Sequence, residues 1–175
     1  GGLATLEQVD EVLSAGAAKV SISSAAVKNP DLLPEVVGRF GGERLVLAVD
    51  AKRRDTAAAA WEVYINGGST PTGLDLLTWV AQAEQAGVGE ILLTSIDTDG
   101  TQDGYDYAML RAVSEHVKIP VIASGGAGQL EHFRDAVQKG KAAAVLAASL
   151  FHFKTYSIRE VKEYLAAAGI PVRLK

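Results

Sequence analysis

The chain has 175 residues, of which 48% are hydrophobic and 22% charged, with a net charge of −4. That length and apolar content suit one domain with a real core and exclude disorder as the default, and an acidic balance without a basic block argues against nucleic acid as a partner. The absence of cysteine excludes disulfides and thiolate metal sites, and no apolar run approaches the length of a membrane span, so no membrane partner is expected.

In chain order, short β-rich runs alternate with amphipathic helical runs, the pattern of βα units on a parallel sheet. A helix over 6–15, stopped by Gly16, leads to a strand over 19–23. Asn29-Pro30 opens a helix over 31–40, Gly41 closes it, and a strand over 45–50 follows. The stretch 52–73 then breaks the rhythm. An alanine run over 57–60, Trp61-Glu62-Val63-Tyr64-Ile65 and Asn66-Gly67-Gly68 read together as a β-hairpin or lid. Beyond it come a helix over 74–86 with Gly87 at its end, a strand over 90–96 and a helix over 107–116. The last elements are a strand over 120–124, a helix over 130–139 stopped by Gly140, a strand over 143–148 and a helix over 158–168 between Ser157 and Gly169. The strands are nearly continuous in apolar residues, which predicts burial on both faces. No linker divides the chain, so 1–175 reads as a single domain.

Five strands alternating with six helices fit an open doubly wound sheet or part of a (β/α)8 barrel. The chain also repeats itself, which favours the barrel. Gly1, Gly2, Leu6, Glu7 and Gly16 match Gly125, Gly126, Leu130, Glu131 and Gly140 at one constant offset. Ser23-Ser24 and Ala148-Ser149 align after a one-residue insertion. Paired glycines ahead of a helix let backbone N–H groups approach an anion, so each copy is a candidate phosphate loop, or else an ordinary strand-to-helix turn. Two such loops suggest a ligand with a phosphate at each end. A complete barrel runs to about 250 residues. The expected fold is therefore α/β, an incomplete (β/α)8 barrel whose first units are absent ahead of Gly1-Gly2.

In such a barrel, chemistry sits at the C-terminal ends of strands. Asp50 ends the apolar run Leu45-Val46-Leu47-Ala48-Val49 and is a candidate general acid or base, or alternatively the ion-pair partner of Lys52 or Arg53. The loop after the third strand carries Asp97, Asp99, Thr101, Asp103 and Asp106 around Gly100 and Gly104. It is expected to set Asp99 opposite Asp50, with Thr101 donating to substrate. Its acidic spacing lacks the closing Glu of a calcium loop. His116 reads as a helix-end residue, His132 as a surface residue and His152 as a marginal candidate near the barrel mouth; no pair has metal-ligand spacing. No Gly-x-Ser-x-Gly elbow supports a serine hydrolase.

Several segments resemble a known family in combination. They are Asp50-Ala51-Lys52-Arg53, Trp61-Glu62-Val63-Tyr64, 89–95, Asp99-Gly100-Thr101 with Gly104-Tyr105-Asp106, 122–128 and 147–153. Together they are similar to the cyclase subunit of imidazole glycerol phosphate synthase, along the whole chain. The isomerase of the same pathway shares the two phosphate loops and the Asp-Gly-Thr, but does not usually carry the Asp-Ala-Lys-Arg strand end or the Phe-His-Phe segment. The resemblance implies a cytoplasmic lyase of histidine biosynthesis that needs no cofactor. It works in a complex with a glutaminase subunit, whose ammonia crosses the barrel to a phosphoribulosyl formimino carboxamide nucleotide. The products are imidazole glycerol phosphate and an aminoimidazole carboxamide ribotide, and the substrate carries a phosphate at each end.

The resemblance also implies residue roles. Asp50 would be one of two catalytic carboxylates, with Asp99 and Thr101 positioning the substrate. Gly2, Ser23 and Ser24 would hold one phosphate, and Gly126, Ala148 and Ser149 the other. Lys19 and Glu90 would be two members of the charged ring that gates ammonia entry. The family's second catalytic Asp lies on a first strand expected to be missing here. Ser23 stands where the family usually has Asn, and Ala18 where an acidic residue usually faces the glutaminase. The alternative expectation is an inactive barrel fragment that self-associates through an unpaired sheet edge or awaits a complementing segment.

Overall fold

A computed structural model describes residues 2–55 and 59–174; Gly1 and two residues of the alanine run, Ala57 and Ala58, lie outside the described residues. Among the described residues, seven strands form one sheet: β1 (Val20–Ile22), β2 (Leu45–Arg53), β3 (Trp61–Ile65), β4 (Thr70–Asp75), β5 (Glu90–Ser95), β6 (Val121–Ser124) and β7 (Ala144–Val145). The helices are α1 (Leu6–Ser14), α2 (Ser24–Lys28), α3 (Leu32–Phe40), α4 (Leu76–Gln85), α5 (Tyr107–His116), α6 (Leu130–Gln138), α7 (Ser149–His152) and α8 (Ile158–Ala167). Among the described residues, no helix is long and apolar enough to cross a membrane.

Strands β1, β2, β5, β6 and β7 run parallel and pair strictly in that order. The order never reverses, so right-handed crossovers carry every helix to the same side of the sheet. Helices contact one another in the same sequence, α1 with α3, α4 with α5, α5 with α6 and α6 with α8. This is the winding of a (β/α)8 barrel, here an incomplete one, and it excludes the doubly wound alternative.

Burial alternates along each parallel strand. Leu45, Leu47, Val49 and Ala51 of β2, with Ile91, Leu93 and Ser95 of β5, are buried on the helix side. Ala48, Asp50, Leu92, Thr94, Ile122 and Ser124 point the other way and are only half-buried. The expectation of burial on both faces therefore holds on the helix side and only in part on the other, where Val46 is buried and its neighbours are half-buried. Helices cover one face, while the other lines the concave interior.

The repeat in the sequence is a repeat in structure. Helices α1 and α6 are nine residues each and begin and end at the same offset, as do the first residues of β1 and β7. Gly2 and Gly126 both take positive φ, 88° and 106°. They need glycine for different reasons. A Cβ on Gly126 would lie 2.1 Å from the Gly104 carbonyl, whereas one on Gly2 would meet nothing within 4 Å. Gly140 is likewise a packing glycine, because its Cβ would lie 2.6 Å from the Ala136 carbonyl and Lys141 takes the positive φ instead.

The stretch 52–73 does contain a hairpin, β3 and β4, but it is continuous with the sheet. Strand β2 runs three residues past Asp50, and its second half pairs antiparallel with β3 along the edge where its first half pairs with β1. The hairpin base is anchored by Asp106. Its Oδ1 accepts from the Met109 N–H at 2.9 Å, capping α5, and its Oδ2 accepts from the Trp61 indole N–H at 3.2 Å. Arg53 stacks over the buried Trp61 ring at 5.1 Å and lies 4.0 Å from Asp106. Arg53 is thus engaged away from Asp50.

Replacing Asp106 with Ala removes a helix cap and orphans a buried indole donor together, an expected loss of about 2–3 kcal/mol. Asp106→Asn, which can still cap and accept, should lose much less. Denaturant titration of both variants checks this, and an unchanged midpoint for D106A contradicts it.

Candidate functional site

The parallel strands deliver their C-terminal ends to one edge, and three adjoining cavities run along it. The first, about 480 Å³, is bordered by Gly2, Ser23, Ser24, Lys28, Asn66 and Asp50. The second, about 340 Å³, lies between Asp50, Thr94, Ile96, Asp99, Gly67 and Gly68. The third, about 390 Å³, includes Thr94, Asp99, Ser124, Gly126, Ala148 and Ser149 in its walls. Asp50 and Gly67 are common to the first two, and Thr94 and Asp99 to the last two. The cavities therefore form one groove with a glycine loop at each end and two carboxylates in the middle.

Each wall has a local cause. Asp50 points into the groove because it continues the inner-face alternation Val46, Ala48, Asp50 along β2. Register with β5 sets Asp50 beside Thr94, and register with β6 sets Thr94 beside Ser124. Asp99 sits in the turn after β5, its N–H donating to the Ser95 carbonyl at 3.0 Å. The Thr98 hydroxyl donates to the Gly125 carbonyl at 3.1 Å, and the Gly104 N–H to the Gly126 carbonyl at 2.8 Å. Those bonds fasten the Asp99 loop to the Gly125-Gly126 loop. The buried Tyr105 hydroxyl donates to the Leu146 carbonyl at 2.9 Å, tying the same loop to the end of β7.

Burial raises the pKa of Asp50 above the usual aspartate range, and the nearby Asp99 charge raises it further. No basic side chain offsets this among the described ion pairs, so the alternative of a pairing with Lys52 or Arg53 does not form. A carboxyl biased towards its protonated form beside a second carboxyl is a suitable source and acceptor of protons.

The structure gathers most of the residues singled out from the sequence. Gly2, Ser23 and Ser24 share the first cavity, Asp50 and Asp99 the second, and Gly126, Ala148 and Ser149 the third. Thr101 is not gathered with them. It is exposed, and its hydroxyl donates to the Thr98 carbonyl at 2.8 Å and accepts from the Asp103 N–H at 3.2 Å. Lys19 and Glu90 form an ion pair at the opposite, N-terminal ends of β1 and β5. His132 is a capping residue, its Nδ1 accepting from the N–H groups of Gly128 at 3.0 Å and Gln129 at 3.3 Å. His152 is exposed and packs edge-on to Phe153.

Sequence reasoning missed Thr94, Ser124, Lys28 and Asn66 as groove residues. The first two were recoverable by counting alternate positions back from the strand ends. Asn66 and Lys28 reach the groove only through the way the hairpin lies against α2. Among the described residues, no cluster of three or more His, Asp or Glu is arranged to hold a metal ion.

Residues 1–157 match the protein family described as histidine biosynthesis protein. The matched span includes both glycine loops and every groove residue named above.

The raised pKa of Asp50 carries a stability signature. Its ionised form disfavours the fold above the folded-state pKa, and that penalty vanishes once pH falls below the ordinary aspartate pKa, where both states are protonated. Asp50→Asn is therefore expected to stabilise the protein at neutral pH and to lose that advantage near pH 3. Denaturation midpoints at the two pH values check the sign; destabilisation at neutral pH contradicts it.

Proposed function

The chain belongs to this family of histidine biosynthesis proteins, and from that premise we propose that its groove is the substrate site of an ammonia-using cyclase. The reaction is that of a lyase. Ammonia and a phosphoribulosyl formimino carboxamide nucleotide give imidazole glycerol phosphate and an aminoimidazole carboxamide ribotide. One observation carries the reading: a continuous groove with equivalent glycine loops at its two ends and Asp50 and Asp99 between them. A substrate with a phosphate at each end spans it, with its reacting centre over the carboxylates.

In this reading Asp50 is the general acid and base for ammonia addition and ring closure. Asp99 keeps the Asp50 carboxyl protonatable and orients the substrate, with Thr101 supporting the Asp99 turn. Lys19 and Glu90, at the far ends of their strands, flank the ammonia entrance, and a glutaminase is the partner on that face. The strand end at Asp50 through Arg53 and the segment Phe151-His152-Phe153 support the cyclase over the related isomerase.

A second reading is favoured by the sheet edges. Among the described residues, β1 pairs only with β2 and β7 only with β6, and the concave face is half-buried. On its own, the chain then behaves as a barrel segment that associates with a second copy or a complementing segment.

In a closed barrel built on this chain, ammonia-dependent conversion of the bisphosphate is expected, and Asp50→Asn should lower kcat by about 10²–10⁴-fold with KM little changed. Undiminished turnover in D50N contradicts the assignment. Light scattering of the chain alone, over a concentration series, should show mass rising above that of one copy; a constant monomeric mass contradicts the second reading.

A further inference from the structure

The two ends of the groove have the same backbone plan but not the same charge. At the N-terminal end, Ser24 and Lys28 stand four residues apart on α2 and so share one helix face. Both meet Asn66 at the hairpin tip. The Asn66 N–H donates to the Ser24 hydroxyl at 2.9 Å, and the Lys28 ammonium donates to the Asn66 side-chain carbonyl at 3.5 Å. The Asn66 carboxamide is itself oriented, because its NH₂ donates to the Thr70 hydroxyl at 3.2 Å. Its backbone sits at φ 56° and is held by the Ser69 hydroxyl, which donates to the Asn66 carbonyl at 2.9 Å.

At the C-terminal end, Ser149 corresponds to Ser24, and the residue four places on is Phe153, which is 74% exposed. The only charged residue bordering that cavity, among the described residues, is Asp99. The cavity at the N-terminal end is bordered by Lys28 as well as by Asp50. Each end of the groove thus presents one aspartate to a dianionic phosphate, and the N-terminal end adds a lysine that the C-terminal end does not have among the described residues.

We propose that Lys28 is a phosphate-binding residue that makes the N-terminal loop the tighter of the two sites for a phosphate monoester, with Asn66 holding its ammonium over the site. This rests on the reading of the groove as a bisphosphate site and adds an order to it: the substrate end that enters the N-terminal loop anchors the molecule. The long bond from Lys28 to a neutral carboxamide is readily exchanged for a shorter, charge-assisted bond to a phosphate oxygen. A lysine already parked at the cavity wall also loses less side-chain freedom on binding than one free in solvent.

Inorganic phosphate is the probe, with the backbone amide signals of Ser24 and Ser149 in nuclear magnetic resonance spectra reporting the two loops separately. In the unaltered protein, the Ser24 amide is expected to half-saturate at lower phosphate than the Ser149 amide. Lys28→Gln should raise the half-saturation at Ser24 about tenfold and leave Ser149 unchanged, whereas Lys28→Arg should retain the affinity. Equal half-saturation at the two loops overturns the proposal, as does a Ser24 response that K28Q leaves unaltered, while the bisphosphate reading survives both. No response at either amide overturns the phosphate reading and this proposal with it.

Discussion

The parallel pairing of β2 with β5 is the constraint on which the rest of the site depends. It aligns Val46 with Glu90 at one end and Asp50 with Thr94 at the other. Because successive side chains face opposite ways, a slip of one residue would turn Asp50 towards the helices and bring Val49 into the groove. Leu47, Val49, Ile91 and Leu93 forbid that slip, since each is at most 2% exposed beneath the helices. The same hydrophobic pattern that buries one face therefore fixes which polar groups reach the other. Asp50 acquires its raised pKa from that position, half-buried and within range of Asp99.

A second layer of order comes from the hairpin. It continues the edge of β2 beyond the end of β1, so its base is clamped by Trp61, Arg53 and Asp106 while its tip reaches α2 through Asn66 and Ser24. Gly67 consequently borders both the N-terminal and the central cavity. On the other side, the Asp99 loop is locked to Gly125 and Gly126 by contacts too close for any side chain. The Gly125-Gly126 pair is thus required by packing before any ligand is considered. In the proposed function, phosphate makes an additional use of a backbone already held open.

Much of this was legible in the residues. The helix over 107–116 falls where its periodicity placed it, and the Ser157 start of α8 is a capping box with Glu160. The internal repeat and the hairpin also follow from pattern alone, whereas Asp50 and Asp99 come together as neighbours at the ends of the adjacent strands β2 and β5 and not across the mouth. Other features depend on tertiary pairing that no local window contains. Lys52 and Arg53 look like a loop but extend β2, because β3 pairs with them. The apolar run over 143–148 looks like a full strand but yields only Ala144–Val145, where β7 bonds to β6, its one neighbour among the described residues. Helix α4 begins at Leu76 rather than Leu74, because Leu74 and Asp75 finish β4 and the Asp75 side chain caps the helix at 2.9 Å from the Thr78 nitrogen. The short helices α2 and α7 carry too few residues for a periodic signal, and with α2 the placement of Lys28 stayed hidden.

In the proposed function, both ends of the groove act on one ligand. Linking two phosphates through one molecule makes the second contact intramolecular, so a bisphosphate should bind well beyond either half when the loops are correctly spaced. Calorimetric titration of the bisphosphate nucleotide, against a monophosphate fragment of it, measures this directly. Saturable binding of one bisphosphate per site is expected, at least about tenfold tighter than that of the monophosphate. Equal, weak binding of the two ligands would contradict it, and would mean that the glycine loops are turns of the barrel and not parts of a common substrate site.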